Sequence, residues 1–265
     1  MYLLFDIGAT NMRIAISRDK ETIVDGRIVS TPADFNEGMK VFQKTAHELC
    51  GDIPVNVVVG GVPGILNAEK SGLINAPNLE EWEDALLKRS MEEMFHCSVH
   101  LENDAALGAL GEAVFGAGRG KSIVAYFTVS TGVGGARIVN GKLDESAFGF
   151  EPQQQIVDGE HTLGHYISGS GIKKRYGKEA KDIDDPVAWE EAARWLAVGV
   201  NNAIALWSPN IFVLGGAVMR SRIPVENVKH AVEEFGHFPE FPEIVMAELG
   251  DASGLYGALA FVRSL

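Results

Sequence analysis

An apolar run ends at Asp6, and Ile-Gly8-Ala-Thr10-Asn11 follows at once. A strand that delivers a carboxylate to the mouth of a tight turn has a chemical use. Gly8 permits dihedrals closed to other residues, and Thr10, Asn11 and the N–H groups of the turn can face phosphate oxygens. A carboxylate beside phosphates makes sense only with a cation between them, so Asp6 is expected to hold Mg²⁺ through water. An ordinary hairpin with Asp6 as turn former is the plainer alternative. Ser130-Thr131-Gly132-Val-Gly134-Gly135 repeats the device with a hydroxyl and three glycines. It lacks the GK[ST] of a Walker A loop, and a strand rather than a helix follows it, which excludes a dinucleotide fingerprint.

Three further groups carry polar chemistry. Glu102-Asn103-Asp104 closes an apolar strand directly before a helical Ala-Ala-Leu pattern. Asp104 there is either a helix cap or a general base at the C-terminal end of a strand, where α/β folds place ligands. Leu214-Gly215-Gly216-Ala217 follows another apolar strand, and paired glycines let a backbone approach a flat ligand such as adenine. Val62-Pro63-Gly64 and Asn75-Ala-Pro-Asn78-Leu form loops in which Asn78 can meet sugar hydroxyls or close an Asx turn.

Strands must position these groups. Tyr2–Asp6, Met12–Ser17 and Ile23–Ser30 read as a meander. Asn36–Leu49 reads as a helix capped by Asp34 or Asn36, with Gly51 at its end. Val55–Val59 is a doubly covered strand, Glu83–Phe95 a helix and Val99–Glu102 a strand. Strands at Ile123–Val129 and Val133–Val139 then flank a turn, and Asn140-Gly141 is a hairpin signal. A helix from Pro186 to about Trp207, a strand at Ile211–Leu214, a helix at Val225–Phe235, a strand at Ile244–Ala247 and a helix at Leu255–Val262 complete the chain. Phe5-Asp-Ile-Gly-Ala-Thr-Asn-Met-Arg13-Ile and Phe127-Thr-Val-Ser-Thr-Gly-Val-Gly-Gly-Ala-Arg137-Ile share one plan. Two α/β lobes facing each other would bring both turns into one cleft.

The set DIGATN at 6–11, PG at 63–64, APNL at 76–79, END at 102–104, TGVGGA at 131–136, LGG at 214–216 and GLYGA at 254–258 resembles the ROK family of sugar kinases. The motifs occur in that family's order and cover nearly the whole chain. The resemblance implies an α/β, two-lobed, actin-like (ribonuclease-H-like) ATPase fold with duplicated βββαβα lobes. Residues 1–106 would form the N-terminal lobe, completed by 254–265, and 107–253 the C-terminal lobe. It also implies ATP, Mg²⁺ and phosphorylation of a hexose hydroxyl, usually the 6-OH. By the family's pattern Asp104 is the base. Gly64, Asn78, Asn103, Glu151 and Gln154 would line the sugar side. Asp6, Gly8, Thr10, Asn11, Thr131, Gly132, Gly215 and Gly216 would frame the nucleotide.

The chain departs from that pattern after Glu151. The family commonly has Gly-Glu-x-Gly-His and a zinc-binding cysteine cluster. Here Gln154 stands where the His is expected and no cysteine follows. His161 and His165 alone make a poor zinc site, so no structural zinc is expected. A sugar-site Glu is often found shortly before a Ser-Gly; here Gly164 or His165 takes its place ahead of Ser168-Gly169.

Bulk properties bound the alternatives. At 265 residues and 46% hydrophobic, the chain can bury a large core. A net charge of −13 disfavours nucleic acid and anionic membranes. The two cysteines, Cys50 and Cys97, form no disulfide framework. The opening MYLLFDIG lacks a basic n-region, so a soluble, cytoplasmic protein is expected, with a sugar as small-molecule substrate and a homodimer as its assembly. A catalytically weak sugar sensor using the same cleft is the alternative. A sugar-responsive repressor would need a helix-turn-helix ahead of the strand at Tyr2.

Overall fold

The computed structural model describes residues 1–147, 149–236, 238 and 240–265. Its chain divides into two compact units: Met1–Val114 with Glu145–Gly149 and Ala252–Leu265, and Phe115–Asp144 with Phe150–Asp251. The boundary expected after residue 106 would cut a helix that the contacts keep whole.

In the first unit β1 (Tyr2–Ile7), β2 (Asn11–Ser17) and β3 (Ile23–Ser30) form an antiparallel meander. There follow α1 (Phe35–Cys50), β4 (Val57–Val62), the short hairpin β5 (Ile65–Leu66) and β6 (Leu73–Asn75), α2 (Leu87–Phe95), β7 (Ser98–Asn103) and α3 (Asp104–Val114). The main sheet has the order β3-β2-β1-β4-β7, with β4 parallel to both β1 and β7. Leu3, Leu4, Phe5 and Ile7 of β1 are fully buried, as a strand covered on both faces requires. Asp34 caps α1 through the Glu37 N–H, and the helix lays Met39, Phe42, Ala46 and Leu49 on the sheet. Phe42 meets Phe5 edge-on at 5.3 Å. Gly60 of β4 leaves room for that ring, since a Cβ there would lie 2.3 Å from it.

Three sequence expectations shift here. The fourth strand starts at Val57 and runs on through Gly60 and Gly61 to Val62; a side chain at Gly60 would strike Phe5, and one at Gly61 would crowd Asp104 and Asp6. The helix expected from Glu83 begins at Leu87; Glu80–Trp82 is a single 3-10 turn, and Asp84 takes a left-handed φ of 56° that breaks the helical pattern. The β5–β6 hairpin was not foreseen.

The second unit begins with β8 (Ile123–Val129), β9 (Val133–Val139) and β10 (Lys142–Leu143). Asn140 and Gly141 both have positive φ, 52° and 71°, as the Asn-Gly turn demands. Next come α4 (Leu163–Ile167), α5 (Gly169–Tyr176), α6 (Pro186–Trp207), β11 (Ile211–Gly215), α7 (Ala217–Arg222), α8 (Val225–Phe235) and β12 (Glu243–Met246). Asp185 caps α6 through Val187 N–H, with Pro186 at its first position. The sheet order is β10-β9-β8-β11-β12, and β8, β11 and β12 are parallel. This is the plan of the first sheet, strand for strand, so the faint repeat marks equivalent hairpins. The two arginines are not equivalent, however. Arg13 pairs with Asp6 across β1 and β2, whereas Arg137 pairs with Ala125.

The last helix, α9 (Ser253–Ser264), belongs to the first unit and packs on α3. A Cβ on Gly257 would lie 1.8 Å from Leu107 O, and one on Gly111 would lie 2.3 Å from Ser253 O. Glycine on both helices therefore sets how near they approach.

Candidate active site

In the first unit the parallel strands β1, β4 and β7 end side by side. Their register aligns Asp6 with Gly61, Gly61 with Glu102 and Val62 with Asn103. Asp104 opens α3 directly after β7. A Cβ built on Gly61 would lie 3.1 Å from the Cα of Asp104 and 3.5 Å from Oδ1 of Asp6. The Asp6 carboxylate and the backbone of Asp104 thus both approach one residue that has no side chain. A Cβ on Gly254, in the first turn of α9, would lie 2.7 Å from Cγ of Asp6. The positive end of that helix therefore abuts the Asp6 carboxylate. Arg13 adds a guanidinium 3.7 Å from Asp6 Oδ2.

The β1–β2 turn is closed by Gly8 N–H donating to Asn11 O at 2.9 Å. Thr31 braces it twice, its hydroxyl donating to Gly8 O and its N–H to Thr10 O. Thr10 and Asn11 are left exposed at the tip. Thr31 carried no signal in the sequence, because its role lies 23 residues from the Gly8 it holds.

Asn103, rather than Asp104, is the cap of α3. Its Oδ1 accepts from Ala106 N–H at 3.1 Å and its Nδ2 donates to Gly64 O at 3.0 Å. Asp104 stands one residue later, where its Oδ1 accepts from Ala105 N–H at 2.8 Å. Gly64 has φ of 94°, and a Cβ there would lie 2.2 Å from Asn75 O, so only glycine fits. Beyond β6, buried Ala76 and Leu79 anchor a turn that leaves Asn78 exposed. Glu83 accepts from Ala76 N–H and holds that turn.

In the second unit the two glycine-bearing turns meet. Ser130 Oγ accepts from Ala217 N–H at 3.0 Å. Gly216 has φ of 96°, and a Cβ on it would lie 2.3 Å from Val129 O. The Ser130–Gly134 turn is also tied to α5, through Gly169 N–H to Ser130 O and Ser170 N–H to Thr131 O. Thr131 and Gly132 are exposed. The residue that braces this turn is Gln153. Its Oε1 accepts from Val133 N–H at 2.9 Å and would lie 2.9 Å from a Cβ on Gly132. Its neighbour Gln154 is exposed. Glu151 is exposed too, yet the surrounding atoms strip water from its carboxyl and push its pKa above the ordinary carboxylate value.

Among the described residues no three His, Cys, Asp or Glu side chains are gathered to bind an ion. His161 and His165 instead stack at 4.3 Å. Asp158 accepts from Tyr166 Oη, from the N–H groups of Glu160 and His161, and bonds His161 Nδ1. Those bonds, the Tyr166 hydroxyl foremost, hold its carboxyl well below the usual range. Tyr166 stacks on Trp195 at 4.1 Å. A zinc ion does not fit this arrangement.

The ROK family model matches residues 2–154 and 159–264. The chain belongs to the ROK family. A glucokinase of Streptomyces coelicolor is 26% identical over 97% of this chain and 96% of its own. The structure of a ROK hexokinase from Thermus thermophilus superposes with a TM-score of 0.88 at 24% identity, covering 99% of this chain and 98% of that one. A ROK glucokinase from Streptomyces griseus, solved with glucose and AMPPNP, gives 0.81 at 24% identity over 99% and 100% of the two chains. These structures establish the actin-like ATPase fold for this ROK chain. No helix among its described residues is long and apolar enough to cross a membrane.

Proposed function

We propose that this ROK protein is an ATP-dependent sugar kinase that phosphorylates a hexose or hexose derivative at its 6-hydroxyl. The observation that carries the reading is the approach of the Asp6 carboxylate and of the α3 start at Asp104 to side-chain-free Gly61 at the ends of the parallel strands. Sugar-kinase relatives over nearly the full chain support it.

The roles divide by position. Asp104 accepts the proton of the sugar hydroxyl as its oxygen bonds the γ-phosphorus and ADP leaves. Asn103, Asn78 and the backbone at Gly64 hold the sugar, with Glu151 as a further contact. Thr10, Asn11 and the N–H groups at Gly8 bind phosphate. Thr131 and Gly132, with Gly215 and Gly216, bind the nucleotide. Asp6 fits a Mg²⁺ ion through water, since one partly exposed carboxylate with few protein ligands suits an ion that keeps its hydration. Such an ion would offset phosphate charge.

An ATP-consumption screen tests this across glucose, mannose, fructose, N-acetylmannosamine and N-acetylglucosamine. Mg²⁺-dependent ADP release with at least one sugar is expected. Sugars that raise the melting temperature without releasing ADP would replace the kinase reading with that of a sensor.

A further inference from the structure

Glu102 is 7% exposed and immediately precedes Asn103 and Asp104. A carboxylate so buried needs a charged partner. Lys70 is that partner, its Nζ 2.5 Å from Glu102 Oε1, and it comes from the tip of the β5–β6 hairpin 32 residues earlier.

The tip is built to aim Lys70. Its backbone takes a left-handed φ of 48°, and its N–H donates to Asn67 O at 2.9 Å. The Asn67 side chain closes the turn at both ends, donating to Ser71 Oγ and accepting from Ser71 N–H, each at 2.8 Å. A left-handed turn with an interlocked Asn and Ser is more order than a solvent loop requires. At its base the hairpin is held by Asn103 through Gly64 O. Two consecutive residues of β7 therefore grip it at base and tip. Beyond β6 it leads directly into the turn that presents Asn78.

We propose that Lys70 is a positioning residue of the sugar subsite, locking the 64–79 segment to the strand that carries Asn103 and Asp104. The proposal rests on the sugar-site reading above. Without the ion pair the tip would swing on its base, and Asn78 and the Gly64 backbone would have to be ordered by the sugar itself, at a cost in affinity.

Two substitutions test it. Lys70→Met keeps the stem and removes the charge; Lys70→Arg keeps the charge. Glucose, mannose and N-acetylmannosamine are titrated by calorimetry without nucleotide, and amide hydrogen exchange is followed across 64–79 without ligand. In Lys70→Met we expect sugar Kd to rise about tenfold, the loss of a charge-assisted contact, with faster exchange across 64–79. ATP affinity should stay within about twofold, and Lys70→Arg should restore both readouts. Unchanged Kd and exchange in Lys70→Met would overturn the proposal, as would equal losses of sugar and ATP affinity, or a failure of Arg to rescue. Wild-type protein that binds none of the three sugars would also overturn it. Sugar binding without turnover would sink only the kinase reading and leave Lys70 in place.

Discussion

Under the proposed mechanism Asp104→Asn separates chemistry from structure, because Asn103 and not Asp104 caps α3. Asn at 104 still offers an oxygen to Ala105 N–H, now made at 2.8 Å. It loses the negative charge in the first turn of α3, worth about 0.3–1 kcal/mol. The melting temperature should fall by about 1–4 °C in a chain of this size. It cannot accept a proton, and a base of this kind contributes about 10²–10⁴-fold, or about 3–5 kcal/mol of barrier. Asn103→Ala should behave oppositely. It removes the cap to Ala106 and the bond to Gly64 O, about 1 kcal/mol each. A drop of about 4–8 °C follows, with sugar KM raised and kcat reduced far less than in Asp104→Asn. Steady-state kinetics and scanning calorimetry on both variants give kcat, KM and melting temperature for each. An Asp104→Asn enzyme whose kcat stays within about tenfold of wild type would refute Asp104 as the base.

Three other expectations follow from the same geometry. Gly254→Ala would put a methyl 2.7 Å from Asp6 Cγ; displacing that carboxylate should cut Mg²⁺-dependent kcat by about tenfold or more, and unchanged turnover would remove Asp6 from the chemistry. Asp158→Asn should lower the melting temperature near neutral pH. Because the folded carboxyl is held below its unfolded value, its stabilisation is present above about pH 4 and fades as pH falls through the lowered folded value. A melting-temperature gap that stays constant down to about pH 2 would show that this carboxylate does not stabilise the loop. Metal analysis of the purified protein should find no stoichiometric zinc, and one tightly held zinc per chain would contradict the stacked-histidine loop.

Legibility in the sequence followed the range of the interactions. The strands at Ile23–Ser30, Ile123–Val129 and Val133–Val139 and the helices at Pro186–Trp207 and Val225–Phe235 stand where periodicity and capping residues put them. Their signals are local: Asp185-Pro186 before α6, Asn140-Gly141 between β9 and β10. The elements that escaped notice are short. β5 and β6 span two and three residues and α4 five, too few for a period to register. The candidate carboxylates were legible because each closes an apolar run. What braces the turns and strand around them was not, because Thr31, Lys70 and Glu83 are polar residues in loops, with partners set by tertiary folding.

The contact between Gln153 and Gly164 shows how a loop can be read only in three dimensions. Along the chain, Gly164 or His165 stands where a sugar-site Glu is often found. In the structure, a Cβ on Gly164 would lie 2.4 Å from Cγ of Gln153, whose amide passes over it to Val133 N–H. The space is filled from the other side of the loop, and the filling side chain braces the Ser130–Gly134 turn. Gly132 belongs to the same set, since a Cβ there would press on the Gln153 Oε1. Gln153, Gly164 and Gly132 are therefore one packing solution across 32 residues, and restoring a side chain at 164 alone would dislodge the amide.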